Sequence, residues 1–245
     1  MRMRPPALIF AILFLVCGLT AITEGKKMQT EAPLNDRQQG IVTIAAFTAS
    51  GDLDRLKPAL QEGLDAGLTI NEIKEVLVQM YAYTGFPRSL NGLGAFMGVV
   101  EERKAKGMKD VEGRLASPLP ADLDRQAYGA RVRADLSGLK EVPPPAPWQQ
   151  FCPIIDEFLK EHLFADIFAR DVLTHQEREL ATVAALANMS GTAGQLAYHL
   201  GAAMNTGLTE SQMHGFIDVL GAKVGHDQAA GAEKVLTDVL AKRKQ

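Results

Sequence analysis

The feature that most constrains this chain is that it repeats itself. Leu173-Thr-His-Gln-Glu-Arg-Glu-Leu-Ala-Thr-Val-Ala-Ala-Leu186 follows the apolar pattern of Leu34-Asn-Asp-Arg-Gln-Gln-Gly-Ile-Val-Thr-Ile-Ala-Ala-Phe47 residue for residue. Gly207-Leu-Thr-Glu-Ser-Gln212 then follows Gly67-Leu-Thr-Ile-Asn-Glu72, and Gly225 follows Gly85. The offset is about 140 residues, long enough for each copy to be a multi-helix unit. Each copy is written in helix grammar. Gly67 suits the left-handed residue that ends a helix, and Thr69 with Glu72, like Thr209 with Gln212, has the spacing of a capping box. Ile73, Val76, Leu77 and Met80 recur at helical intervals until Gly85 and Pro87 stop the helix, and a further amphipathic segment restarts near Arg88.

The same reading gives helices over 34–50, capped near Asn35, over 53–66 and over 90–106 in the first copy. In the second copy a helix is expected over 153–170, where Ile154, Ile155, Phe158, Leu159, Leu163, Ile167 and Phe168 form a wide apolar stripe. No strand-like alternation of useful length occurs. The expected fold is therefore all-α, with repeats at 34–106 and 149–242 joined by a linker or wrapping arm at 107–148, whose prolines at 118, 120, 143, 144, 145 and 147 are not core composition. Neither repeat alone buries enough apolar surface, so the two should pack face to face as a pseudo-dimer within one chain, with any site at their interface.

Residues 1–22 have the order of a secretory signal: Arg2 and Arg4, an apolar run from Ala7 to Val16, then small residues. That run is shorter than the ~20 apolar residues of a bilayer span. Cleavage and export to a periplasmic or extracellular location are expected, with membrane contact only through this segment if it is retained. Val16 is a poor residue to precede a lipid-modified Cys17. Without the signal, Cys152 is the only cysteine, which removes an internal disulfide and any Cys-x-x-Cys pair; its place beside an apolar helix suits a packed thiol. A formal charge of −3 over 245 residues offers no basic surface for nucleic acid. His162, His175, His214 and His226 lack metal-ligand spacing, so no metal is expected.

Four groups of residues together resemble the carboxymuconolactone decarboxylase family, relatives of the alkylhydroperoxidase D-like proteins. They are Glu72-Ile-x-Glu75-Val-Leu77, Tyr83-x-Gly85-x-Pro87 with Asn91, Arg178-Glu179-Leu180, and His199 eight residues before Gly207. The resemblance covers roughly 34–96 and 151–240 and implies an all-helical fold and homo-oligomers built from dimers of the single repeat. The peroxidase branch carries Cys-x-x-Cys-x-x-x-His before the Gly-x-Thr cap, where a lowered-pKa thiolate attacks peroxide. Counting back from His199, those cysteine positions hold Thr192 and Gln195; in the first repeat they hold Asp52 and Arg55, with Ala59 for the histidine. The peroxidatic pair is missing from both copies.

The decarboxylase branch needs no thiol and no cofactor. It needs donors for the lactone oxygen that takes up charge, a cation for the leaving carboxylate, and an acid to reprotonate carbon. The resemblance implies one composite site, with His199 as acid/base, Glu179 or Glu75 orienting it, Tyr83 as donor, and Arg88 or Arg178, with Asn91, holding a small carboxylated or lactone-like substrate. Structural readings stand beside these: Glu75 pairing across the repeat interface, Tyr83 seated under the Gly-x-Pro turn, His199 a satisfied core histidine, Arg88 and Arg178 surface or salt-bridge residues. The alternative to an enzyme is a non-catalytic binding or assembly protein of the same fold. A third reading is thiol-dependent reduction through an intermolecular partner of Cys152.

Overall fold

The computed structural model describes Met1 and residues 33–244, and each repeat in it contains a helix buried over most of its length. In the first repeat the helices are α1 (Asp36–Ser50), α2 (Leu53–Asp65) and α3 (Ile70–Ala105). The connecting arm carries α4 (Arg125–Leu136). α5 (Pro147–Phe151) runs from the end of the arm into the second repeat, which continues as α6 (Pro153–Phe158), a π-helical segment Leu159–Ile167, α7 (His175–Ala187), α8 (Ala193–Asn205), α9 (Glu210–Val219), a π-helical turn Leu220–Val224, and α10 (His226–Arg243). No strand occurs among the described residues. The expected signal segment, 1–22, lies almost wholly outside them.

Every residue from Gly40 to Ala49 of α1 and from Arg178 to Leu186 of α7 is buried. Helices buried all round must be covered on all sides, and the charged side chains that α7 takes inside, Arg178 and Glu179, must be paired there. The two equivalent helices achieve this by packing against each other, so one hydrophobic core runs through both repeats. This is the pseudo-dimer expected from the repeats. The expected caps Asn35, Thr69 and Thr209 each form a capping box, and Thr174 with Glu177 adds a fourth that the sequence reading did not name. Arg37 then joins two of them, lying 3.0 Å from Glu72 and 3.1 Å from Glu177, the capping-box carboxylates of the first and second repeats.

Gly85 breaks α3 without ending it. Its φ of 80° and ψ of 159° leave the helical region and kink the chain, while the Ser89 hydroxyl donates to Leu77 O at 2.7 Å and ties the two segments together. Tyr83 is delivered just before this kink.

Two expectations change. The arm is not irregular throughout, because α4 buries Val132 and Leu136 against Leu163, Phe164, Ile167 and Phe168 in a second, smaller core. Gly129 makes this packing possible: a Cβ there would lie 1.9 Å from the Lys160 carbonyl oxygen. The arm also covers the start of α3, where Ile70 N and Asn71 N donate to Val111 O and Glu112 O at 2.9 Å. The helix expected over 153–170 changes winding at Leu159, and its stripe is only half used. Leu163, Ile167 and Phe168 are buried, whereas Ile154, Ile155 and Phe158 remain exposed, since α6 precedes the contact with α4. Cys152 is half-buried and free.

Candidate functional site

His199 lies on the buried face of α8 and Glu179 on α7, and the packing of these helices sets their side chains together. His199 Nδ1 is 2.8 Å from Glu179 Oε2, with the histidine 6% exposed and the glutamate 0%. With Glu179 ionised, this contact places the ring proton on Nδ1 and leaves Nε2 as the nitrogen that exchanges protons. Tyr83 comes from the first repeat and meets the imidazole edge to face, ring centroids 5.7 Å apart. Tyr198 flanks it in the same way at 5.0 Å. Three of the expected residues, one from the first repeat and two from the second, therefore form one constellation.

Two polar atoms in it lack a well-formed hydrogen bond. Glu179 Oε1 is buried with no hydrogen-bond partner among the described residues, and the Tyr83 hydroxyl, also buried, makes no hydrogen bond of good geometry there, with the Thr182 side chain the polar group beside it. Such atoms cost about 1–3 kcal/mol each unless water or a ligand completes them. Burial first, and then the Glu179 charge, push the Tyr83 phenol well above its ordinary range, so it stays a protonated donor.

The constellation opens on a cavity of about 640 Å³, within the range of small-molecule sites. Tyr83, Phe164, Tyr198 and His199 line it together with Arg133 and Trp148 from the arm. No Asp or Glu is among the lining residues.

The other expected residues lie elsewhere. Glu75 does not orient His199. It pairs with Arg170 at 2.6 Å and with Arg178 at 3.1 Å, across the repeat interface. Burial alone would raise its pKa, but hydrogen bonds from Arg170 and Arg178 outweigh that and hold the carboxyl below its ordinary range. Arg178 is fully buried and donates through Nη1 to Gln79 Oε1 at 3.0 Å and through Nη2 to Glu75 and to Arg170 O at 2.6 Å, leaving only its buried Nε without a partner among the described residues, and it does not line the cavity. Arg88 and Asn91 are exposed on the second segment of α3 and do not line the cavity. At the positions of the missing cysteines, Gln195 lines the cavity and Thr192 donates to Leu186 O and Met189 O. Among the described residues, no group of three or more His, Cys, Asp or Glu could hold a metal.

Sequence reasoning missed Arg133, Trp148 and Tyr198. A trace of α4 was present in the Asp124 cap and in Val132 and Leu136 at i, i+4, masked by the surrounding prolines.

The first repeat holds an image of this cavity. Phe47, Arg55, Pro58, Ala59 and Lys223 line a hollow of about 330 Å³ and correspond to Leu186, Gln195, Tyr198, His199 and Tyr83. Gly40 stands there for Glu179, packed so closely that a Cβ would meet Gly63 Cα at 3.3 Å and Leu68 Cδ1 at 3.2 Å. The image lacks the histidine and its glutamate, and Lys223, 3.6 Å from Glu62, stands in the place of the tyrosine.

The model of the carboxymuconolactone decarboxylase family matches residues 19–97 and 153–238, more than half of the chain. It leaves the arm unmatched. A comparison with curated proteins gives no match.

Proposed function

Since the chain belongs to the carboxymuconolactone decarboxylase family, we propose that it catalyses a cofactor-independent decarboxylation, or a related proton transfer, on a small carboxylated lactone-like compound. The observation that carries this reading is the buried His199–Glu179 pair beside the buried Tyr83 phenol, at the wall of a cavity of suitable size. In the decarboxylation, the carbon–carboxylate bond breaks and its electron pair moves through the conjugated system onto the lactone carbonyl oxygen. Tyr83 donates to that oxygen. CO₂ departs, the electron pair returns to carbon, and protonated His199 supplies the proton there while Glu179 offsets the charge on the imidazolium. The ring then regains its proton from solvent. The peroxidase chemistry of related proteins is not proposed, because Thr192 and Gln195 offer no thiol.

The N-terminal segment read as a secretory signal supports placing this activity outside the cytoplasm, and the family resemblance supports a homo-oligomer. The experiment is a panel of lactone acids offered to purified protein, with CO₂ release and solvent-deuterium incorporation as readouts. Turnover abolished in His199→Gln is the expected result; turnover that survives His199→Ala overturns the reading. Ligands that bind but never react would instead support the non-catalytic alternative.

A further inference from the structure

The cavity has one fixed cation, and it comes from neither repeat. Arg133 sits on α4, in the stretch between the two family matches, and lines the cavity with His199. Its placement is built. Gly129, one turn earlier, lets α4 close on the Lys160 carbonyl. Arg133 Nη1 then donates to Asp156 Oδ1 at 2.6 Å. Asp156 is shared, since Lys160 lies 2.8 Å from its Oδ2 and Gln149 Nε2 donates to its Oδ1 at 2.7 Å. One carboxylate thus faces two cations and leaves a net positive charge. Nε and Nη2 of Arg133 make no hydrogen bond to the described residues. Those two donors form the side of the guanidinium fork that matches a carboxylate.

We infer that Arg133 is the anchor for a substrate carboxylate that the reaction leaves intact, so that the arm, rather than the repeats, sets the substrate class. The inference deepens the function proposed above and rests on it only for the reacting centre. A carboxylate lost as CO₂ gives up its charge in the transition state, so a tight ion pair to it would hold back the reaction. An ion pair to a carboxylate that persists binds the ground and transition states alike and fixes orientation. Much of the remaining wall, including Leu159, Leu163, Phe164 and Trp148, is apolar and suits a ring or unsaturated carbon body, with Ser137, Gln149 and Gln195 as neutral polar exceptions. The class is therefore a compact, apolar-bodied anion with a spectator carboxylate.

Trp148 is the only tryptophan in the chain and lines the cavity, so its fluorescence reports occupancy without a label. The test titrates a γ-butyrolactone carboxylic acid, benzoic acid and cyclohexanecarboxylic acid, each beside its methyl ester, into the native protein, Arg133→Gln, Arg133→Lys and His199→Gln. Native protein and His199→Gln should prefer the acids on the order of ten- to hundredfold, the worth of a charge-assisted hydrogen-bonded pair. Arg133→Gln should lose the preference while keeping the ester affinity, which a merely misfolded variant would not keep. Arg133→Lys, still able to pair with Asp156, should fall between. Equal binding of acids and esters by the native protein, a preference that survives Arg133→Gln, or no binding of any acid up to millimolar concentration each overturns the inference. Acid preference without turnover would sink the proposed function and leave Arg133 standing; turnover without acid preference would do the reverse.

Discussion

Glu179 Oε2 and His199 Nδ1 are 2.8 Å apart in an interior that gives the carboxylate no solvent exposure. The pair is therefore both a chemical unit and a structural one, and the two roles separate by substitution. Glu179→Gln keeps the volume and removes the charge that stabilises the imidazolium. Turnover should fall by roughly 10²–10⁴-fold with the helical circular dichroism unchanged. His199→Ala, which strands a buried carboxylate, should in addition cost about 3 kcal/mol in urea unfolding, and His199→Gln less.

The Glu75–Arg178 contact predicts the opposite pattern. Glu75→Gln leaves a fully buried guanidinium without its carboxylate, a loss of about 3–5 kcal/mol. Thermal unfolding should move down on the order of 10 °C for a chain of this size. Ligand affinity measured well below the new midpoint should be unchanged, because Glu75 does not reach the cavity.

Acid should destabilise the protein through the same carboxylates. Burial works to raise Glu75, Glu72 and Asp156, but their hydrogen-bonded cations hold all three below the ordinary range in the folded chain. A depressed folded pKa contributes stability that is complete above the unfolded value and is lost as pH falls through the folded one. Urea midpoints should thus be flat from neutral pH down to about 5 and fall below about 4. Glu75→Gln should shallow that fall.

Gly129 tests the seating of α4. Gly129→Ala puts a methyl 1.9 Å from a backbone oxygen that has no side-chain freedom to yield. The expected cost is about 1–3 kcal/mol. Because α4 must shift, the preference for acids over esters should weaken although Arg133 itself is unaltered.

Ligand stoichiometry should be one reactive site per chain. The hollow around Ala59 lacks the pair, and Gly40→Glu with Ala59→His should not restore it, since Gly63 and Leu68 already fill the space a side chain at 40 would need. Quantitative titration and the turnover of this double variant with His199 removed check both statements.

The repeats, the caps at Asn35, Thr69 and Thr209 and the Gly85 break were legible in the sequence because each is decided within a few residues. His199 and Glu179 were legible through the family pattern. Arg133 was not: its place depends on Asp156, 23 residues on, and on the approach of α4 to the Lys160 carbonyl, neither of which leaves a periodic trace. Arg178 misled for the same reason. An arginine that closes a buried network and one that waits for substrate look alike until Glu75, 103 residues away, is in place.

A two-fold dimer of identical units must carry every substitution twice, and a residue useful on one side of its axis is imposed on the other. The contact of Gly40 with Gly63 opposite the buried Glu179 shows what joining the units in one chain releases. One half is free to give up its acid and close ranks, while the other keeps a cavity and borrows a wall from the connecting arm. Division of labour between halves is here a consequence of connectivity, available to any fused pair and denied to the symmetric ancestor such a pair implies.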